Sequence, residues 1–181
     1  MKTLEDQMSF YAAYHQDPRN KATHFVGVPT IVFSLMIPLG WLRFEAGGTS
    51  LTAAFVVSAA LVAYYLALDT VLGLAMGVLF AAMLWLADPL ARAPLATSAA
   101  WFAFLFIAGW ALQLWGHVFE GRKPALVDNL FQVFVAPIFL CAEAFFALGY
   151  KPALRDAVQR RAEEMRRAAG IAPGVAAGPA T

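Results

Sequence analysis

Charge is what this chain of 181 residues has least of. Only 14% of its residues are Asp, Glu, Lys or Arg and 61% are hydrophobic, whereas a soluble domain carries about a quarter charged and about half apolar residues. That imbalance excludes an ordinary soluble domain. Cysteine is nearly missing too: Cys141 stands alone inside an apolar run, so no intrachain disulfide can form. The net charge is only +1, and no basic, aromatic-bearing patch of the nucleic-acid kind is present, so no nucleic acid is expected as a partner. No Gly-rich nucleotide loop or flavin motif occurs either. Histidine is scarce and unevenly placed. The three imidazoles, His15, His24 and His117, all lie at the edges of apolar segments.

What is there instead is a series of long apolar runs. Phe25–Leu42, Ala46–Leu68, Thr70–Ala87 and Ala93–Gly116 contain no charged residue, and Leu130–Tyr150 contains only Glu143. Each meets the roughly 17 to 25 residues that a helix needs to cross the hydrocarbon core. The first run begins too far into the chain for a cleaved signal peptide. The expected fold is all-α, a polytopic membrane helical bundle of four to five spans. An amphipathic segment, "LEDQMSFYAAYHQ", precedes the spans and ends at "DPRN", where Pro18 interrupts any helix. Asp69 and Thr70 link the second and third spans as a tight hairpin, while "FEAGGTS" and "DPLARAP" read as turns. After Tyr150, "KPALRDAVQRRAEEMRRAAG" reads as a basic amphipathic helix on the headgroup surface. Residues 1–169 are expected to form one integral membrane domain, and residues 170–181 a disordered tail.

Topology bears on function. Four crossings separate the His15/His24 segment from His117, so both emerge on the same side of the membrane and can meet. That side carries Lys2, Arg19, Lys21, Arg122 and Lys123, and the opposite loops only Arg43 and Arg92. The excess of cations puts the histidines in the cytoplasm. The basic carboxy-terminal helix opposes this assignment if Leu130–Tyr150 crosses completely. A bent or re-entrant segment around Pro137 and Glu143 would remove the conflict.

Ionisable residues at membrane depth are functional suspects because their insertion is costly. Asp69 reads as a turn residue; Glu143 lies deeper and needs a partner. His117 and Glu120, spaced i and i+3, share one helical face, and Glu120 taken alone would serve as a surface partner for Arg122 or Lys123. With His15, His24, Asn20, Gln113 and Asn129 they form a polar constellation in an otherwise apolar protein. Neutral imidazole is a common ligand of Zn, Fe, Cu and Ni, and three histidines suffice for one metal with open positions. They are too few for a di-iron centre built from paired histidine boxes. The alternative from the residues alone is a small transporter or lipid-binding scaffold whose His and Glu side chains relay protons. The chain lacks the paired inverted halves many transporters show, which counts against it.

Three blocks, "YHQDPRNKATHFVGVP", "WALQLWGHVFEGRKPAL" and "VAPIFLCAEAFFALGY", resemble the signature blocks of the membrane 2-hydroxy fatty acid dioxygenases. The resemblance runs from about residue 7 to 155. It implies an Fe(II)-dependent enzyme using O₂ that shortens a lipid substrate, a 2-hydroxy fatty acid, by one carbon in fatty acid alpha-oxidation. It implies His15, His24 and His117 as metal ligands, with Glu120, Asn20 and Gln113 as catalytic candidates beside them. Three ligands leave three octahedral positions, which suits a chelating substrate and O₂. Glu120 is expected to orient a ligand or take a proton, and Arg19, Lys21, Arg122 or Lys123 to draw the carboxylate inward. The bacterial members of the family imply residence in the inner membrane.

Overall fold

The computed structural model describes residues 2–121 and 123–170, so the expected tail beyond Gly170 and any pairing of Arg122 lie outside the described residues. The chain is helical almost throughout. Helix α1 (Leu4–Ala12) starts at a capping box in which Thr3 Oγ1 accepts from the Asp6 backbone and Asp6 accepts from the Thr3 backbone. Helix α2 (Pro18–Trp41) starts at Pro18 itself. There the missing N–H costs nothing, and the Asp17 carboxylate accepts from Arg19 N at 2.8 Å. Pro18 therefore opens a helix as well as closing the preceding segment, and His24 lies inside the first long helix instead of ahead of it.

The structure revises the second run. Arg43–Ala46 (β1) and Thr49–Thr52 (β2) pair antiparallel, with Ala46 opposite Thr49. Gly47 and Gly48 turn between them at φ 59° and 77°, the paired positive values of a tight hairpin turn. Expected as a turn followed by a span, this stretch is a hairpin, and helix α3 (Ala53–Leu68) begins only after it, capped by Thr52. Asp69 is the turn residue expected: its Oδ1 accepts from Val71 N and Leu72 N at 3.0 Å, capping α4 (Thr70–Arg92). The supposed turn "DPLARAP" is mostly the last part of α4, which continues through Pro89. Helix α5 (Leu95–Glu120) follows, then the short α6 (Ala125–Asp128), α7 (Gln132–Ala147) and α8 (Pro152–Ala168).

Helices α2, α4 and α5 are long and apolar enough to span a membrane. Helices α3 and α7 have 16 residues each, about 24 Å at 1.5 Å per residue, short of the roughly 30 Å hydrocarbon core. Three of the expected four to five spans are thus full-length helices, and α3 and α7 are the shorter two. The hairpin takes up the start of the second run, and turns take up both ends of the last.

Two compact units result. One is Val26–Ala111. In it α2 and α5 pack closely at Gly109, where an added Cβ would stand 2.7 Å from Ile31 Cγ1. Gly73 lies equally close to Leu66 across the α3–α4 hairpin, a packing role of the kind small residues serve between membrane helices. The other unit joins the chain up to Phe25 with the chain from Leu112. Its core is Met8, Tyr11 and Ala12 of α1 with Val135, Ile138, Phe139 and Ala142 of α7 and Val158 and Ala162 of α8, all buried. Every residue proposed for chemistry lies in this unit.

Candidate metal centre

His15 follows the last turn of α1, His24 sits in the second turn of α2, and His117 in the last turn of α5. All three are buried. One ring nitrogen from each lies within 4.8 Å of the others, the one such group of three His, Cys, Asp or Glu among the described residues. His15 Nδ1 lies 2.8 Å from the Tyr11 carbonyl oxygen and His24 Nδ1 2.8 Å from that of Asn20. A carbonyl only accepts, so both Nδ1 atoms carry the proton. Both Nε2 atoms then present lone pairs, and they face each other at 3.1 Å. Two lone pairs at that separation repel unless a cation lies between them. With bonds of about 2.1 Å, neighbouring ligands on an octahedral metal stand about 3.0 Å apart. The donor set fits a first-row metal, and carbonyls fixing the imidazole tautomers are the usual outer partners of such ligands.

Packing fixes the rings. Tyr11 stacks on His15 with centroids 4.0 Å apart and planes 8° off parallel, and Phe139 lies 4.6 Å from Tyr11. Burial, reinforced by the His24 imidazole, pushes the His15 imidazole well below its ordinary value and keeps it neutral, the form that binds metal. Gly116 matters as much as its neighbour His117. A methyl group there would overlap the Thr23 hydroxyl and stand 2.5 Å from Asn20 Oδ1 and 3.3 Å from His24 Nδ1. Only glycine lets α5 approach α2 this closely.

Glu120 is not a member of the ligand group; it gathers the segments that carry the ligands. Its Oε2 accepts from Gln16 N at 2.9 Å, Asp17 N at 2.8 Å and Asn20 Nδ2 at 3.2 Å, and its Oε1 accepts from Arg166 at 3.0 Å. Helix α5 thus supplies His117 and, one turn on, the carboxylate that holds the backbone beside His15 and the side chain one turn before His24. Asn20 is fully buried and its Oδ1 has no partner among the described residues; the same holds for Nε2 of the buried Gln113, one turn before His117.

Other candidates lie elsewhere. Asn129 accepts from Phe131 N within its own turn. Glu143 has the partner its depth required, Lys21 at 2.8 Å, and no histidine. Among the described residues, the cations expected to draw in a carboxylate are already paired: Arg19 with Asp17, Lys21 with Glu143, Lys123 with Asp128. Tyr11 and Arg166 escaped the sequence reading, and Gly116 stood in it only as part of the block around His117. Tyr11 lies one turn before His15, a spacing that could have drawn notice, and Gly116 adjoins a named ligand. Arg166 sits in a helix read as a surface element, and nothing local marks it.

A protein-family model described as 2-hydroxy-palmitic acid dioxygenase Mpo1-like matches residues 1–148. The chain is 37% identical, over 167 residues covering 91% of it and 92% of the relative, to the 2-hydroxy-palmitic acid dioxygenase MPO1 of Saccharomyces cerevisiae. No solved structure gives a significant match.

Proposed function

The chain belongs to the Mpo1-like family, and from that premise we propose an iron(II)-dependent dioxygenase that converts a 2-hydroxy fatty acid to the fatty acid one carbon shorter. The substrate class and the use of O₂ come from the family and from the yeast relative. The metal reading is carried by the two Nε2 lone pairs of His15 and His24 facing at 3.1 Å, with His117 beside them. One integral membrane domain, residues 1–169, performs the reaction. It sits in a bacterial inner membrane with the histidines toward the cytoplasm.

The balanced reaction is 2-hydroxy acid plus O₂ giving the shortened acid, CO₂ and water. The bond between C1 and C2 breaks, C1 leaves as CO₂, and C2 is oxidised to a new carboxyl carbon. All four electrons that O₂ takes up come from the substrate, so no reductase is needed. Iron(II) held by His15, His24 and His117 would supply the electron route from substrate to O₂ and a template for both.

The remaining work falls to the chain itself. Gln113 Nε2 and Asn20 Oδ1, buried and unsatisfied among the described residues, offer one donor and one acceptor, the pair that a 2-hydroxy carboxylate takes. Buried polar atoms of this kind are costly to leave without a partner, which supports a polar substrate group as theirs. Glu120 acts by holding Asn20 and the backbone at Gln16 and Asp17. Burial of the histidines keeps water from the reacting atoms.

The test is anaerobic reconstitution of purified protein with Fe(II), then addition of O₂ and 2-hydroxypalmitate with mass analysis of the products. The expected outcome is an acid one carbon shorter with one CO₂ per turnover. Iron-loaded protein that returns the 2-hydroxy acid unchanged sinks the reading.

A further inference from the structure

Helix α8 lies entirely outside the residues that the family model matches, which end at 148. It nevertheless reaches the histidine centre. Val158, Ala162 and Arg166, spaced one turn apart, are its buried face, and the helix packs on α1. Near its end, Arg166 Nη1 donates to Glu120 Oε1 at 3.0 Å and to the Ala13 carbonyl at 3.2 Å. The guanidinium and the Glu120 carboxylate are 8% and 2% exposed, so this ion pair is shielded from solvent. Two turns earlier, Gln159 Oε1 accepts from Gln16 Nε2 at 3.3 Å. Helix α8 therefore grips the chain on both sides of His15, at Ala13 and at Gln16. Through Glu120 it also bears on Asp17 and Asn20.

We propose that Arg166 is a positioning residue for the histidine centre: by fixing Glu120 and Ala13 it sets where His15 stands relative to His24 and His117. The inference rests on the metal reading above. The His15 segment is a short link between two helices, tied back to α1 by turn bonds from Tyr14 N to the Tyr11 carbonyl and from His15 N to the Ala12 carbonyl, each 3.0 Å. Its backbone N–H groups at Gln16 and Asp17 find their acceptor in Glu120. A Glu120 carboxylate without Arg166 would be a buried charge lacking its counterion, and it would turn toward solvent or another donor. The link would loosen, and with it one of the three ligands.

Cobalt(II), a stand-in whose visible spectrum reports ligand number and geometry, serves as the probe, titrated into full-length protein in detergent. Thermal melting is followed in parallel. Arg166→Gln is expected to weaken cobalt affinity by about 10- to 100-fold, the usual cost of losing an outer partner of a ligand, and to change the spectrum at saturation. Arg166→Lys, which keeps the charge and a donor, should recover most of both. Val158→Ala loosens α8 on α1 without touching Glu120 and should lower the melting temperature with the parent spectrum retained. If Arg166→Gln does not fold, Gln159→Ala cuts the same grip more gently and should cost affinity severalfold. Parent affinity and spectrum in the Arg166→Gln protein, or in Gln159→Ala where that variant stands in, overturn the proposal. So does an equal affinity loss in Val158→Ala. A parent protein that takes up no cobalt overturns the metal reading and this inference with it.

Discussion

At the scale of single residues, the centre depends on groups that never touch the metal. Gly116 is the sharpest case, because its substitution adds no charge and removes no ligand. Gly116→Ala must push α5 away from Thr23, Asn20 and His24, separating His117 from its partners. Iron stoichiometry should fall well below one, with circular dichroism unchanged. Full iron content would show that the close approach is dispensable. His117→Ala removes a ligand outright and should abolish iron retention and turnover while the protein stays folded in detergent; a variant that keeps its iron refutes the ligand assignment. Glu120→Gln retains the shape but weakens the acceptor to three N–H donors and to Arg166. Turnover should drop by about 10- to 100-fold with most iron retained. Iron content and rate are to be measured on the same sample, since complete loss of iron would overturn a role confined to positioning.

At the scale of elements, α1 carries a pH dependence apart from the metal. The Thr3 backbone N–H, then its hydroxyl, hold the Asp6 carboxyl below its ordinary value, and Arg161 of α8 adds to this at 2.6 Å. A carboxyl lowered in the folded state contributes stability that is complete above its unfolded value, near 3.8. The contribution disappears as the pH falls through the folded value. Asp6→Asn should therefore lower the melting temperature at pH 7, and the gap from the parent should close as the pH falls below the unfolded value and through the lower folded one; a gap that persists in strong acid assigns the effect to something else. Apolar runs foretold α2, α4 and α5 because a helix in lipid has to be apolar along its length. The hairpin at residues 43–52 was not legible as strands, since its few exposed residues hold no alternating pattern. The histidines were legible because polar groups are rare here and costly at membrane depth. Arg166 was not, because its importance lies in a contact with Glu120, 46 positions away.

At the scale of the whole molecule, the placement of α8 bears on orientation. The sequence left a conflict: the excess of Lys and Arg beside the histidines put that side in the cytoplasm, while a fully crossing last span would carry the basic helix away from it. Helix α7 is shorter than a full span and packs against α1, and α8 packs against α1 as well. The five arginines of α8, Arg155, Arg160, Arg161, Arg166 and Arg167, thus join the histidine side instead of opposing it. At the other end of α2, Arg43 and Arg92 both bind Asp88, and no other Lys or Arg accompanies them between Lys21 and Arg122. On the proposed orientation, the cations then gather on the cytoplasmic side. Single cysteines at Lys2, Lys123 and Glu45, each in a Cys141→Ser background, test it with a membrane-impermeant maleimide on intact cells and on inverted vesicles. Lys2→Cys and Lys123→Cys should label together in inverted vesicles, and Glu45→Cys in intact cells. Labelling of Lys123→Cys alongside Glu45→Cys would mean an odd number of crossings between His24 and His117, which three imidazole nitrogens within 4.8 Å of one another forbid.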